Sequence, residues 1–379
     1  MDENLPENEI KAEIEAESPK AEKPDKGKAV DKAKKKLLWQ FLFVAVNIAV
    51  VIVIATVDFG GDTAAAPFSD VWAVISQQWY YFAGAIALAA LFILLDTSKL
   101  TVMIRSATKR TNFGAAYKCS QLGRYYDNVT PFGTGGQPFQ INYLTQKGIE
   151  YGKAMACVLT TFIIQQLAFT FMGPFFLIRY CMSADAQTLF IVLGWIGYAI
   201  YLAIPLVLVL TAIKPSIIEG LAGAGIKLLT KMRIIKNPEK ASARMRESLD
   251  RYHKTSAYLV KNPLRVLVVF AMSIIQFAIY FGIPYFVCRA LGATAAQTVD
   301  LFSRMVIIYF AITIVPTPGN SIAAEFSFLA VFSSVLGPNT FWGILFWRLL
   351  VFYVFLIQGL AIIISRAFNK AGKAHKELY

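Results

Sequence analysis

The chain has 379 residues, 56% hydrophobic and 16% charged, with a mean hydropathy of +0.53, a balance that water-soluble domains rarely show. The net charge of +13 does not point to nucleic acid, because the basic residues lie between long apolar runs and form no aromatic-interleaved surface; anionic lipid headgroups are the fitting partner. Histidine chemistry inside the membrane is excluded too. His253 and His375 both sit in hydrophilic stretches, which leaves the apolar body without an imidazole base or metal ligand.

Residues 1–36 are rich in Glu, Lys, Ala, Asp and Pro and hold almost nothing apolar, so they are expected to form a disordered cytoplasmic tail. Lys34, Lys35 and Lys36 precede an apolar run to Val57 that is too long for a signal-peptide core. About 20 apolar residues cross a bilayer as a helix, which predicts full spans near 37–57, 79–98, 153–178, 189–213, 264–288 and 340–364. Two further stretches, 115–147 and 298–337, are apolar in parts but broken by Pro, Gly and charged residues. The predicted fold class is an all-α integral membrane protein with about six full transmembrane helices plus two broken or re-entrant helix pairs. The membrane domain runs over 37–365, and 366–379 is a basic cytoplasmic tail. Cys119, Cys157, Cys181 and Cys288 have no CxxC spacing and read as small hydrophobes.

Lys and Arg crowd the loop 214–263, the stretch after the second span (Lys99, Arg105, Lys109, Arg110, Lys118) and the C-terminal tail. The connections 58–78 and 181–188 carry only acids, Asp185 in the second. Short basic loops stay in the cytoplasm, so both termini are placed inside. The first broken stretch then opens to the cytoplasm and the second to the outside. An inverted-topology repeat would produce that; two ordinary kinked helix pairs are the plainer account. Within the basic loop, 241–259 reads either as a surface helix on anionic lipid or as part of a solvated retention signal.

The first broken stretch reads Gly123-Arg124-Tyr125-Tyr126-Asp127-Asn128-Val129-Thr130-Pro131-Phe132-Gly133-Thr134-Gly135-Gly136-Gln137-Pro138. Its prolines and glycines free backbone groups at membrane depth, which survives only where protein or a wet cavity meets them. A half-helix starting after Gly135-Gly136 would aim its amides at a phosphate or carboxylate, with Arg124 adding a formal charge. Asp127, Asn128, Thr130 and Gln137 either satisfy freed backbone groups or bind the polar part of a headgroup, and Asp127 could instead pair with Arg124 three residues away. The second stretch, Val315-Pro316-Thr317-Pro318-Gly319-Asn320-Ser321-Ile322-Ala323-Ala324-Glu325, is flanked by Arg304 and Arg348. Ionisable residues in apolar segments read as functional or as mutual partners. The candidate substrate-binding set is Arg124, Asp127, Asn128, Thr130, Gly135, Gly136, Gln137, Arg304, Glu325 and Arg348, with no catalytic residue, metal or cofactor assigned.

YYDNVTPFGTGGQPFQINYL, the later PTPGNSIAAEFSF and Trp347-Arg348 in the final span together resemble the lysylphosphatidylglycerol synthase transmembrane region, or flippase-like domain, family. The resemblance covers essentially everything after residue 36. It implies the membrane half of the bacterial multiple peptide resistance factor, which moves aminoacylated phosphatidylglycerol such as lysyl-phosphatidylglycerol between leaflets of the cell membrane. The synthase activity in the family name belongs to a separate soluble acyltransferase domain. This chain is read only to Tyr379, a few residues past its last span, so aminoacyl transfer by it alone is not expected. No GxxxxGK[ST] loop occurs, so movement would run downhill or be coupled to an ion. Two rival readings are a membrane-embedded headgroup transferase with Asp127 or Glu325 as base, and an anchor for a separate phosphatidylglycerol lysyltransferase.

Overall fold

The computed structural model describes residues 66–130, 135–213, 238–293, 298–317 and 322–376, together with Leu42, Gly133, Gly220, Gly319 and Asn320. The expected tail 1–36 and, Leu42 apart, the first span 37–57 lie outside the described residues, as do Pro131, Phe132, Thr134, Pro318 and Ser321. Regular structure among the described residues is entirely helical. A short amphipathic α1 (Phe68–Gln77) leads into α2 (Trp79–Thr108), and α3 (Phe113–Val129) and α4 (Gly136–Gln146) follow. Next come α5 (Tyr151–Cys181), α6 (Thr188–Ile213), α7 (Pro238–Val260) and α8 (Pro263–Ala290). The chain continues through α9 (Thr298–Ile312), α10 (Ala323–Leu336), α11 (Thr340–Arg348), a π-helical turn Leu349–Tyr353 and α12 (Val354–Lys376).

Five stretches among the described residues are long and apolar enough to cross a membrane: Trp79–Thr108, Tyr151–Cys181, Thr188–Val207, Pro263–Ala290 and Ala323–Arg366. The last holds α10 as well as α11 and α12, so the span expected from 340 is its second part. The chain is a multi-pass all-α membrane protein. The stretch 115–147 is the pair α3/α4 and 298–337 is the pair α9/α10, each pair packed on itself and interrupted where Pro and Gly remove backbone donors and helical conformers. Asn112 caps α3, its side chain accepting from the Ala115 N–H at 2.9 Å. Asn262 does the same for α8 through the Arg265 N–H at 3.1 Å, with Pro263 in the first turn.

Apart from α1, α6 and α7, the described helices fall into two groups of span, broken pair, span: α2, α3/α4, α5 and α8, α9/α10, α11/α12. The leading spans α2 and α8 pack along each other. The first helix of each broken pair packs on the closing span of the other group, α3 on α12 and α9 on α5. α7 occupies part of the expected basic loop and packs on α5 and α8 through a buried face of Leu249, Tyr252 and Leu259. Cys119, Cys157 and Cys288 are buried and Cys181 is exposed.

The apolar interior is divided in two. One cluster gathers Phe92, Phe169, Phe277, Phe310 and Phe328 around the second broken pair; the other gathers Leu100, Leu122, Leu144, Cys157 and Val269 around the first. Three spans change cluster at polar residues: Asp96 and Lys99 in α2, Gln165 and Gln166 in α5, Ser273 and Gln276 in α8. Gln166 is the central residue of the 31-residue α5 and Gln276 is beside the centre of the 28-residue α8. At about 1.5 Å rise per residue, a helix that crosses places such a residue near the bilayer midplane.

Candidate functional site

Polar groups at that depth are costly unless they find partners, and here they find one another. Arg124 clasps Asp96 with two hydrogen bonds, Nη2 to Oδ1 at 2.9 Å and Nε to Oδ2 at 3.2 Å. Its guanidinium lies 5.0 Å from the centre of the Phe92 ring. Gln276 Nε2 also donates to Asp96 Oδ1, at 3.0 Å. The ammonium of Lys99, fully buried, donates to Gln165 Oε1 at 2.7 Å and to Gln276 Oε1, and stands 3.7 Å from Asp96. The amides of Gln165 and Gln276 thus spread two positive charges and one negative charge over three spans. Alongside, Tyr309 donates to Tyr201 at 3.1 Å, and Tyr201 donates to Gln166.

The tips of the two broken pairs meet at this belt. Gly319, with φ +60, lies so close to the first tip that a β-carbon there would stand 2.9 Å from the Asn128 carbonyl oxygen and run into the Phe352 ring; only glycine fits that conformation and space. Between the tips lies a cavity of about 440 Å³, inside the roughly 300–1,000 Å³ range of small-ligand sites. Asp96, Arg124, Asp127, Gly133, Gln137 and Asn320 are among its lining. The cavity therefore presents both signs of charge.

At the first tip, the half-helix expected after Gly135-Gly136 is α4, and its leading amides are already matched. Gly135 N–H donates to Thr130 Oγ1 at 2.9 Å, and Gly136 N–H donates to Asp127 Oδ1 at 2.8 Å. Thr130 in turn donates to the Tyr126 carbonyl at 2.7 Å. A β-carbon on Gly136 would lie 2.5 Å from that Asp127 oxygen and 2.6 Å from the Gly123 carbonyl, so the second glycine is what lets the carboxylate reach the helix end. The sequence spacing offered Asp127 as a partner for Arg124; the structure gives Arg124 to Asp96 instead, because Asp127 turns to the α4 amides. Asn128 contributes its carbonyl to the contact between tips, and its buried side-chain nitrogen donates to no group among the described residues.

The second tip distributes its charges differently. Glu325 and Arg348 form a buried ion pair, Nε to Oε1 at 2.5 Å, with side chains 3% and 5% exposed. Arg348 Nη1 also donates to the Gly319 carbonyl at 3.4 Å, and the guanidinium sits 4.9 Å from the Phe352 ring centre. Neither residue lines the cavity. Arg304 is not brought to it either. It lies beside the centre of α9, about two turns before the tip, and pairs with Asp185 at 2.7 Å while donating to the Val331 carbonyl.

Of the belt, the sequence points only to Arg124; the charged Asp96 and Lys99 and the neutral Gln165, Gln166, Tyr201, Gln276 and Tyr309 lie outside the candidate set. Asp96 falls inside the expected span 79–98, and Lys99 reads with the basic stretch that follows it; α2 runs on to Thr108, so Lys99 is interior. An acid and a base three residues apart at the end of an apolar run are the signal that could have found them.

A family model for the lysylphosphatidylglycerol synthase TM region matches residues 38–359. The chain belongs to that family. The match takes in both broken pairs and every residue of the cavity. A UPF0104 membrane protein from Archaeoglobus fulgidus is 25% identical over 301 residues, covering 76% of this chain and 87% of the relative.

Proposed function

We propose that this member of the family carries the headgroup of a phospholipid, anionic or aminoacylated in the manner of lysyl-phosphatidylglycerol, between the two leaflets of a bacterial cell membrane. The observation that carries the reading is the cavity at the meeting of the two tips, lined by Asp96, Arg124, Asp127, Gln137 and Asn320 near the centres of the spans. A lipid phosphate entering there competes with Asp96 for the Arg124 guanidinium, whose planar fork suits a phosphate as well as a carboxylate. An amine on the same headgroup finds Asp96 or Asp127. Asn320 Oδ1, buried without a hydrogen bond to any described residue, can accept from it, and the acyl chains stay in the lipid.

Alternating access follows if the two groups of span, broken pair and span are inverted copies with both termini in the cytoplasm, the first pair opening inward and the second outward. In this reading Gly135 and Gly136 shape the first tip, Asp127 and Thr130 fix it, and Glu325 with Arg348 fixes the second. Arg304 serves packing away from the cavity.

The test is redistribution of headgroup-labelled lipids in vesicles holding the purified chain. Movement of at least one phospholipid, lost in Arg124→Gln with the protein still folded, is expected. Wild-type rates in Arg124→Gln would remove the cavity from the pathway. A chemically changed headgroup would instead favour transfer chemistry, and activity only in the presence of a separate lipid synthase would favour the anchoring role.

A further inference from the structure

A second cationic site lies outside the cavity, where the ends of α2 and α7 and the start of α8 converge. Lys109 follows α2 in the left-handed conformation, φ 59, with its N–H closing on the Arg105 carbonyl. That backbone turn is uncommon for a residue with a long side chain. Lys109 Nζ reaches across to α7 and accepts the company of Tyr258, donating to its hydroxyl at 3.1 Å and lying 5.6 Å from the ring centre. Arg265 of α8 approaches the same ring at 5.4 Å. One arm of that guanidinium is fixed by the Tyr258 and Leu259 carbonyls, at 3.4 and 3.2 Å.

Two cations thus share one aromatic ring; Arg110 follows Lys109 in the chain, and Lys261 stands between Tyr258 and Arg265. None of Lys109, Arg110, Lys261 and Arg265 forms an ion pair with a described carboxylate. The acid of α7 four residues before Lys254, Asp250, is taken by Lys254 at 2.7 Å. Hydrogen bonding from Lys109 holds the Tyr258 phenol below its ordinary pKa, as an uncompensated positive field does. Directly after the cluster, Leu264 and Leu267 of α8 are 68% and 60% exposed. A basic surface cluster followed directly by bare leucines has the layout of a lipid: phosphate above, acyl chain below.

We propose that Lys109, Tyr258 and Arg265 hold the phosphate of an anionic phospholipid at the membrane surface, with its acyl chain along Leu264 and Leu267. This lipid is bound in place and is distinct from any headgroup passing through the cavity. It ties α7 to the ends of α2 and α8, and binding requires a net negative headgroup.

The test is native mass spectrometry of the full chain released from detergent, titrated with phosphatidylglycerol, with phosphatidylcholine and with inorganic phosphate. Retention of phosphatidylglycerol over phosphatidylcholine is expected. Lys109→Ala combined with Arg265→Gln should weaken that retention about thirtyfold, each base near an anionic surface contributing a factor of about five, while phosphatidylcholine is unaffected. Because Arg265 also secures the end of α7, Lys109→Glu alone is the second variant; it should abolish the preference, and Lys109→Arg should restore it. Repeating the titration in Arg124→Gln separates this site from the cavity, since the preference should persist there. Equal retention of both lipids, a preference unchanged by Lys109→Glu, or displacement of the lipid by millimolar inorganic phosphate would overturn the assignment.

Discussion

The two broken pairs solve the same problem in different ways. Both interrupt an apolar run with Pro and Gly and both must satisfy freed backbone groups, yet only the first leaves charge at the cavity wall. At its tip, Asp127 and Thr130 cap α4 locally, which leaves Arg124 one turn back to reach another span and face the cavity. The second tip bends through Gly319, Asn320 and Ile322, all at positive φ, and is secured from behind by Arg348 on the Gly319 carbonyl, with Glu325 balancing its charge. The lesson is that an intramembrane charge is not by itself a substrate group. Glu325 and Arg348 pair with each other away from the cavity, with Glu325 Oε2 and Arg348 Nη2 buried and without a hydrogen bond to any described residue, whereas Asp96 and Arg124 pair at the cavity wall.

The sharpest way to break this contrast is Arg348→Ala. Removing one member of a buried ion pair strands the other, a loss of about 3–5 kcal/mol, and the folded fraction in mixed micelles should fall severely. If Arg348→Ala unfolds no more easily than Arg124→Gln, the two pairs are not different in kind. Next in size is Gly136→Ala, which pushes Asp127 off the α4 amides and should cost about 1–3 kcal/mol, the penalty for unmatched buried polar groups; denaturant unfolding would read it, and an unchanged midpoint would show that the first tip has another way to cap its helix. The smallest effect is a gain. Ile322 is a β-branched residue held at φ 71, a conformation that stores on the order of 1–3 kcal/mol, so Ile322→Gly should stabilise the fold by roughly 1 kcal/mol once the entropy of the added glycine is deducted. A destabilised Ile322→Gly would mean that its side chain is worth more than the strain.

Much of this arrangement was legible in the sequence because bilayer thickness and backbone hydrogen bonding leave few options. The spans at 79, 153, 189 and 264 and the breaks at Pro131–Gly136 and Pro316–Gly319 follow from hydropathy and from the residues that cannot continue a helix. The pairing of charges did not follow. Asp96 and Arg124 are 28 residues apart and Arg304 and Asp185 are 119 apart, so their partners depend on how helices pack, which periodicity does not encode. Lys99 was misplaced because a base next to a basic loop is indistinguishable, by count, from a retention signal; only the length of α2 turns it inward.

The account stands on a headgroup passing between the two tips. Gly133→Cys with Asn320→Cys, at two positions that line the cavity, would allow the tips to be joined across it by a reducible thiol-reactive bifunctional cross-linker and released by reduction, with Cys181→Ser. Lipid redistribution in vesicles should stop when the link forms and return when it is reduced. Redistribution at full rate through the joined protein would contradict the account.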